Sequence, residues 1–410
     1  MSKTKYFIIQ LHAVMSIMGY WCMHSILGVL VGETSSMVSI AYDGMQLMLS
    51  LYVMSICRKD FMIEKGRTML SFYFLILFLY SLRMFFDILI GPFSTIVPMG
   101  MFLNDILLTV FHCFTATWAI ITSRKYLDIN MIASILFLMS LVTVVFILIG
   151  FDTQGLMNQY EEERMDAGRG LGTLALAKIG AVTALVAMHL FLNDKKRFLK
   201  PFFILSIILG VWLLLGSGSR GTLAGLILTL AVYWTFASRH NKFLQIVVIT
   251  VTLLLLINIV PLLIWLSDYF PVMGQRMLAT ILENDQSGRE LLRNQAVQLI
   301  LDNPLFGYSY RLGVTETGYS THNGILSIFL ALGIPIGLLF VFFIYVKPIV
   351  VAIKLMPKRD TFLATTMSVL FIINSMSGSS ITESCFNFSI CLLASVYYYG
   401  TKQNERPSVV

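Results

Sequence analysis

The sequence predicts an all-α integral membrane protein of about twelve transmembrane helices, a class that follows from its composition and its length. Of the 410 residues, 57% are hydrophobic and only 12% are charged, and the mean hydropathy is +0.80. A soluble domain carries about 25% charged residues, so this chain lacks the charges that a water-exposed surface needs. Because a spanning helix takes about 20 apolar residues, we expect residues 1–410 to form a single transmembrane helical bundle without a soluble domain. The composition excludes nucleic-acid-binding proteins, Rossmann enzymes and disulfide scaffolds.

Apolar runs separated by polar breaks define the predicted spans. The first run follows a basic start, is too long for a signal peptide and has no cleavage site after it, so we expect an uncleaved span. Between the seventh and eighth runs, the string GSGSRG (Gly216 to Gly221) favours a turn over a continued helix. The runs cover residues 8–31, 37–57, 69–90, 101–122, 130–150, 171–192, 201–216, 221–237, 243–267, 321–346, 361–380 and 386–400.

Basic residues predict the orientation, because loops rich in Lys and Arg stay in the cytoplasm. With the N-terminus inside, every connection on the inner side is basic, so we expect both termini in the cytoplasm. The inner residues are Lys3, Lys5, Arg58, Lys59, Lys65, Arg67, Arg124, Lys125, Lys195, Lys196, Arg197, Lys200, Arg239, Lys242, Lys347, Lys354, Lys358, Arg359, Lys402 and Arg406.

The basic residues that this topology assigns to the external face are all Arg. Selection for topology would only remove positive charge from that face, so Arg kept there indicates a function. A guanidinium never deprotonates and can grip a phosphate or a carboxylate with two hydrogen bonds. Solvated ion pairs with nearby carboxylates explain any single one of them equally well, whereas the whole set favours a function. These residues are Arg164, Arg169, Arg220, Arg276, Arg289, Arg293 and Arg311.

One external segment, residues 268–320, is much longer than most other connections, and a long loop in a compact protein is usually functional or disordered. Within it, the apolar residues of Leu291 to Leu301 have the spacing of an amphipathic helix that lies on the bundle or at the membrane interface. Pro304 and Gly307 then end the helix. The sequence therefore predicts one long external loop that carries an amphipathic helix.

Some charged residues fall inside the apolar runs. Arg83 and Asp87 are four residues apart in one span, where we expect them to form a structural ion pair. Lys178, Asp43 and Asp105 also lie in apolar runs. Because such charges line ion pathways in transporters, they support a carrier as an alternative function.

The other polar residues in apolar runs are expected to be core residues. The five Cys contain no C-x-x-C pair, so the sequence predicts neither a disulfide nor a metal site. Single His residues on apolar stretches are more often hydrogen-bonded core residues than ligands, and no metal-binding spacing occurs among them. These residues are His12, His24, His112 and His189.

Three motifs follow one another in the second half of the chain. The turn GSGSRG opens a span with Arg220; SGRELLRNQAVQLILDNPLFGYS begins at Ser287; and THNGILSIFLALGIPIGLL begins at Thr321, with His322 where the chain re-enters the membrane. In this order, the motifs resemble those of the O-antigen polymerase and O-antigen ligase family, and outside this stretch only the topology agrees. The resemblance implies a bacterial inner-membrane enzyme that transfers a glycan from undecaprenyl pyrophosphate to an acceptor on the periplasmic side. It also makes 268–320 a periplasmic loop.

The resemblance implies roles for particular residues. Arg220 and Arg289 would stabilise the negative charge that accumulates on the departing pyrophosphate, and His322 would act as general base or position the acceptor hydroxyl. The alternative for His322 is a helix-start residue whose ring hydrogen-bonds the backbone. Because pyrophosphate is a good leaving group, we expect no cofactor and no metal, and attack opposite to it would invert the anomeric centre. Further substrate-binding candidates are Arg276, Arg293, Arg169, Tyr319, Asn323 and Glu383, the last also as a spare base.

Three functions stay open at this point. The first is a glycosyltransferase that polymerises lipid-linked repeat units, and the second is a ligase that moves a finished glycan onto lipid A core. The third is a lipid-linked sugar flippase or transporter, although the sequence lacks the two matching halves usual in transporters. A purely structural scaffold gives no reason for the external Arg residues. The expected partners are the lipid-linked glycan donor, a glycan or lipid A core acceptor, membrane lipid and a chain-length regulator.

Overall fold

The computed structural model describes residues 2–31, 36–58, 67–90, 106–150, 172–238, 241–282, 289–312, 321–377 and 384–400, and within these ranges the chain is helical and has no strand. This confirms the all-α class. The helices are α1 Lys3–Val31, α2 Ser36–Cys57, α3 Arg67–Leu89, α4 Leu107–Phe114 continued by Thr115–Ser123, α5 Ile129–Gly150, α6 Thr173–Asn193, α7 Lys200–Gly216, α8 Arg220–Ala237, α9 Lys242–Ile257, α10 Ile259–Tyr269, α11 Pro271–Leu282, α12 Arg289–Asp302, α13 Gly324–Leu355, α14 Phe362–Ser377 and α15 Ser384–Tyr399.

Membrane crossing is supported by the length and hydropathy of these helices. In the part of the chain that the structure describes, eight helices are long and apolar enough to cross a membrane, and the bent pair of α9 and α10 makes a ninth candidate. Helices α4, α14 and α15 coincide with predicted runs but are shorter than the roughly 20 residues that a crossing takes. The count of about twelve spans therefore stays a prediction.

Small residues allow α6 and α7 to pack in direct backbone contact. A Cβ added at Gly180 would lie 2.4 Å from the carbonyl oxygen of Gly210, and one added at Gly210 would lie 2.6 Å from that of Gly180. Such close approach is typical of membrane helices, which associate through tight packing because the surrounding lipid is as apolar as their side chains. The start of α8 is thereby attached to a rigid pair of helices, since the predicted turn at 216–221 joins it directly to α7.

One end of the bundle, which we call the Arg220 end, is where α8 and α13 begin and α14 ends. A Cβ added at Gly225, near the start of α8, would lie 3.2 Å from Asn374 Oδ1, near the end of α14. Just before α13, Asn323 Nδ2 donates to the carbonyl of Met376 at 3.1 Å. The starts of α8 and α13 are therefore neighbours of the same helix end.

The opposite end, which we call the lysine end, gathers residues that the topology assigns to the cytoplasm. Asn193 Nδ2, at the end of α6, donates to the carbonyl of Arg359 at 3.3 Å. Ser395, near the end of α15, donates to the carbonyl of Arg124. Basic residues near these contacts are Arg124, Lys125, Lys195, Lys196, Arg197, Lys200, Lys358 and Arg359.

The predicted span 243–267 is not one straight helix. Its two parts, Gln245–Leu254 and Ile259–Tyr269, meet at an angle of 70°. Pro261 lacks the N–H that would bind the carbonyl of Ile257, so the helical hydrogen bonding is interrupted at this point. Asn258 stabilises the break, because its Nδ2 donates to the carbonyl of Leu254 at 2.8 Å.

The predicted long loop 268–320 contains more helix than expected. The predicted amphipathic helix is present as α12, and a second helix, α11, precedes it. On α12, the side chains of Ala296 and Ile300 are buried against Leu312 and Leu330, whereas Leu301 is 60% exposed. One face of α12 therefore lies on α13, but two apolar residues of the predicted pattern, Leu291 and Val297, are 66% and 42% exposed, so its apolar residues are not gathered on a single buried face.

Candidate active site

Two predicted site residues, Arg220 and Arg276, are in direct contact at the Arg220 end. Arg220 is the first residue of α8 and follows a turn in which Gly218 adopts a φ of +63°. Its Nη1 donates to the carbonyl of Arg276 at 2.8 Å and also contacts the hydroxyl of Thr280. In return, Arg276 Nη1 donates to the carbonyl of Gly218 at 3.2 Å. Helix α11 thus brings a second guanidinium to the turn that precedes α8.

Helix α12 carries the next two arginines. Arg289 is its first residue, and the position of the Arg289 side chain lies outside the described part of the chain. Arg293 is four residues further on, on the same helix face. Its Nε is buried and has no hydrogen-bond partner among the described residues. A buried donor without a partner costs free energy, so this nitrogen is suited to a ligand oxygen.

His322 lies immediately before α13 and is half-buried. Its φ of +50° is the single positive value among the described residues other than glycine. Asn323 is the N-cap of α13, and its Oδ1 accepts from the N–H groups of Ile325 and Leu326 at 3.0 and 3.1 Å. Together with the bond from Nδ2 to Met376, these contacts show that Asn323 fixes the start of the helix. Because His322 is the preceding residue, its backbone is held in place as well.

The structure therefore brings some of the predicted site residues to one end of the bundle. Arg220 and Arg276 touch each other, and His322 directly precedes Asn323, which binds the end of α14, a helix end that also neighbours the start of α8. Arg293 stands on α12, whose buried face packs on α13. The described residues do not include Arg169, Tyr319 and Glu383, so their predicted roles stay predictions.

The polar residues expected in the core are found there. Each of the four histidines is buried and bound to a neighbouring side chain, which confirms that expectation. Lys178, which lies in an apolar run, is buried with 3% exposure. The distances from His12, His24, His112 and His189 to Ser50, Ser39, Asp43 and Asn193, respectively, are 2.9, 3.2, 2.7 and 3.1 Å.

Sequence reasoning missed contacts that join distant segments. Arg83 and Asp87 form the predicted ion pair, but both also bind the chain segment after α12. The bond between Arg220 and Thr280 was missed as well, since the two are 60 residues apart. Neither contact has a local sequence signal, because spacing along one helix reveals only partners on that helix.

Taken together, the helices and the arginines define a multi-pass membrane protein with a basic site at one end of its bundle. Residues 202–342 match the family model for O-antigen ligase, and this stretch contains Arg220, Arg276, Arg289, Arg293 and His322. The match covers part of the chain, and it agrees with the resemblance to the O-antigen polymerase and ligase family that the motifs had indicated. No curated protein matches the chain.

Proposed function

We propose that the protein is a glycosyltransferase that polymerises undecaprenyl-pyrophosphate-linked repeat units of a surface polysaccharide, with its site at the Arg220 end. The observation that carries this proposal is the contact between Arg220 and Arg276 inside the region that matches the family. Each of these guanidiniums contacts a main-chain carbonyl of the other residue's segment, so both positive charges lie where α8 begins beside α11. The pyrophosphate of the donor is an anion that both charges would attract.

The arginines would act on the leaving group. As the bond between the anomeric carbon and the phosphate oxygen breaks, its electron pair moves to the pyrophosphate, and the charge there increases. Guanidinium groups fixed in advance stabilise that charge without reorganising. Arg220 is fixed by bonds to Arg276 and Thr280, and the unpartnered Nε of Arg293 offers a further donor. Arg289, at the start of α12, would contribute a bidentate contact.

His322 would act on the acceptor. Its ring would take the proton of the attacking hydroxyl while the oxygen forms the new bond to the anomeric carbon. Attack from the side opposite to the pyrophosphate would invert the anomeric centre. None of these steps needs a nucleotide. We also expect no need for a metal ion, because the guanidinium groups would stabilise the developing charge.

The proposed orientation puts the Arg220 end in the periplasm and both termini in the cytoplasm of a bacterial inner membrane. It rests on the lysine end, because basic connections stay on the cytoplasmic side. The donor would then reach the site from the outer leaflet. Exposed apolar side chains next to α12, such as Leu305 and Phe306 with 64% and 80% exposure, are suited to contact with that lipid layer.

The experiment is a reaction of the purified protein with a synthetic undecaprenyl-pyrophosphate oligosaccharide, without nucleotide and in the presence of a metal chelator. A ladder of products spaced by one repeat unit is expected. The matched control is the His322→Asn variant, which tests whether the ladder depends on the site. NMR of the new linkage against the donor tests inversion, and retained configuration would contradict it.

A second candidate is ligation onto lipid A core, which the description of the matching family favours. Both reactions use the same kind of donor and differ in the acceptor. Adding lipid A core to the same reaction separates them, since a ligase gives transfer to the core and no ladder. Flux of the lipid-linked sugar across vesicles without either product would indicate a carrier instead.

A further inference from the structure

An ion pair on α3, outside the region that matches the family, reaches beyond its own helix. Arg83 Nε donates to Asp87 Oδ1 at 2.8 Å, as the spacing of four residues allows. The Asp87 side chain is fully buried, and that of Arg83 is 17% exposed. This contact uses one guanidinium nitrogen and one carboxylate oxygen, so both groups keep further atoms for other partners.

Those further atoms bind the main chain of residues 303–312, which we call the bridging segment. Arg83 Nη1 donates to the carbonyl of Phe306 at 3.1 Å, and Arg83 Nη2 donates to the carbonyl of Tyr308. The N–H of Tyr310 donates to Asp87 Oδ2 at 2.8 Å. The main-chain groups that the pair binds belong to every second residue, namely Phe306, Tyr308 and Tyr310. The ion pair therefore holds one side of the segment through its backbone.

The bridging segment is held by α13 as well. Helix α13 is interrupted at Gly333, whose φ of +79° is not helical, and the interruption opens main-chain groups that a membrane helix must satisfy. The N–H of Tyr308 donates to the carbonyl of Leu330 at 2.7 Å, and the N–H of Ile334 donates to the carbonyl of Pro304 at 2.7 Å. The segment therefore completes the broken helix on one side and binds the ion pair on the other.

We propose that Arg83 and Asp87 are positioning residues for the active site, a proposal that rests on the function proposed above. The bridging segment is the direct continuation of α12, which carries Arg289 and Arg293. By fixing this segment against α3 and α13, the pair sets where the arginines of α12 stand relative to His322 at the start of α13. The polymerisation site thus depends on two charges of a helix that contributes no group to the reacting atoms.

The position of the segment can be measured without any activity. A nitroxide spin label is attached to a Phe306→Cys variant, since the Phe306 side chain is 80% exposed and the native cysteines are buried. In the parent, the line shape is expected to report an immobilised backbone. Arg83→Gln is expected to increase the label's mobility severalfold, and Asp87→Asn less, because the asparagine Oδ1 can still accept from Tyr310. An unchanged line shape in Arg83→Gln would overturn the proposal.

A charge exchange separates this role from a simple ion pair within α3. Arg83→Asp combined with Asp87→Arg keeps opposite charges four residues apart, but it turns a carboxylate toward the carbonyls of Phe306 and Tyr308. If the pair served only its own helix, the exchange would restore the parental line shape. We expect the exchange to leave the segment mobile, as in Arg83→Gln, and restoration would refute the proposal.

Kinetics of the product ladder then test the effect on the site. A displacement of about 1 Å from the productive geometry can cost about 10²-fold in rate, so kcat of Arg83→Gln is expected to fall by that order while KM for the donor changes little. The control is Arg197→Gln, an exposed residue at the lysine end, with parental kcat expected. Loss of folded protein at an unchanged kcat would mean a merely structural role. If the parent protein makes no product at all, the proposed function is wrong. The line shape of the spin label would still show whether the ion pair holds the bridging segment.

Discussion

Arg220 Nη1 donates to the carbonyl of Arg276 at 2.8 Å, and Arg276 Nη1 donates to the carbonyl of Gly218, two residues before Arg220, at 3.2 Å. This reciprocal arrangement ties the start of α8 to α11 through two cationic side chains. Main-chain carbonyls satisfy individual N–H groups but leave the net charge of +2 in place. The arrangement is therefore fixed in geometry and still attractive to an anion, which suits a site for a leaving pyrophosphate.

The first prediction concerns the proposed binding of pyrophosphate by Arg220. Replacing Arg220 with Ala removes a fixed donor from the proposed pyrophosphate site, and the initial rate of ladder formation is expected to fall by about 10²- to 10³-fold. The matched control is Thr280→Val, which removes one contact of Arg220 but leaves its charge and its bond to Arg276. This control is expected to lose less rate than Arg220→Ala, because the charge of Arg220 and its bond to the carbonyl of Arg276 both remain. A parental rate in Arg220→Ala would exclude Arg220 from the reaction.

The second prediction uses the backbone of His322 to separate folding from chemistry. With a φ of +50°, this position tolerates Asn and Gly, whereas Ala at the same angle costs about 1–2 kcal/mol. We expect His322→Asn and His322→Gly to unfold at the parental temperature but to lose about 10²- to 10⁴-fold in rate, because the proton acceptor is gone. His322→Ala should lose activity and also unfold earlier. Full activity in His322→Asn would show that the imidazole serves only to start the helix.

The third prediction tests whether geometry or charge matters at the start of α12. Arg289→Lys keeps the positive charge and loses the planar fork that binds a phosphate with two hydrogen bonds. The rate is expected to fall at least about tenfold, the loss of about 1.4 kcal/mol that a missing charge-assisted bond can cause. Arg197→Lys, at the exposed lysine end, is the control with no expected change. If Arg289→Lys works as well as the parent, bidentate binding of pyrophosphate at this residue is wrong.

Much of the fold could be predicted because hydrophobicity is a local signal. The apolar runs, the turn at 216–221 and the presence of helix α12 each follow from residues that are neighbours in sequence. The bend at Asn258 was missed although Pro261 indicated it, because the run on both sides is apolar throughout and its length suited one span. Helix α11 was missed because its residues were treated as part of a loop defined by length.

The site was predictable only as a set of residue types. External Arg residues and His322 stood out by charge and by motif, but nothing in the sequence indicates that Arg220 contacts Arg276 or that Arg83 contacts a carbonyl 223 residues away. The first contact arises where α8 meets α11, and the second arises because packing of α13 against α3 and α12 brings distant main-chain groups together. The ion pair of Arg83 and Asp87 was predictable at four residues' spacing, whereas its second function depends on this packing.

The last prediction concerns Gly333, where α13 is interrupted. Its φ of +79° and ψ of 176° lie in a region open essentially to glycine alone, and a Cβ there would lie 2.3 Å from the carbonyl oxygen of Leu305. Gly333→Ala is therefore expected to lower the free energy of unfolding by at least about 1–3 kcal/mol, measured as an earlier thermal transition in detergent. It should also push the bridging segment away from α13 and so reduce the rate of ladder formation.

Gly44→Ala is the matched control for this substitution, because a Cβ at Gly44, inside α2, would meet no atom within 4 Å. Alanine also favours a helix over glycine by about 1 kcal/mol, so this variant should unfold at the parental temperature or above it. If Gly333→Ala were as stable and as active as Gly44→Ala, the break in α13 would have to tolerate a side chain. The bridging segment would then not be packed against it, and the link from α3 through this segment to α12 would be lost.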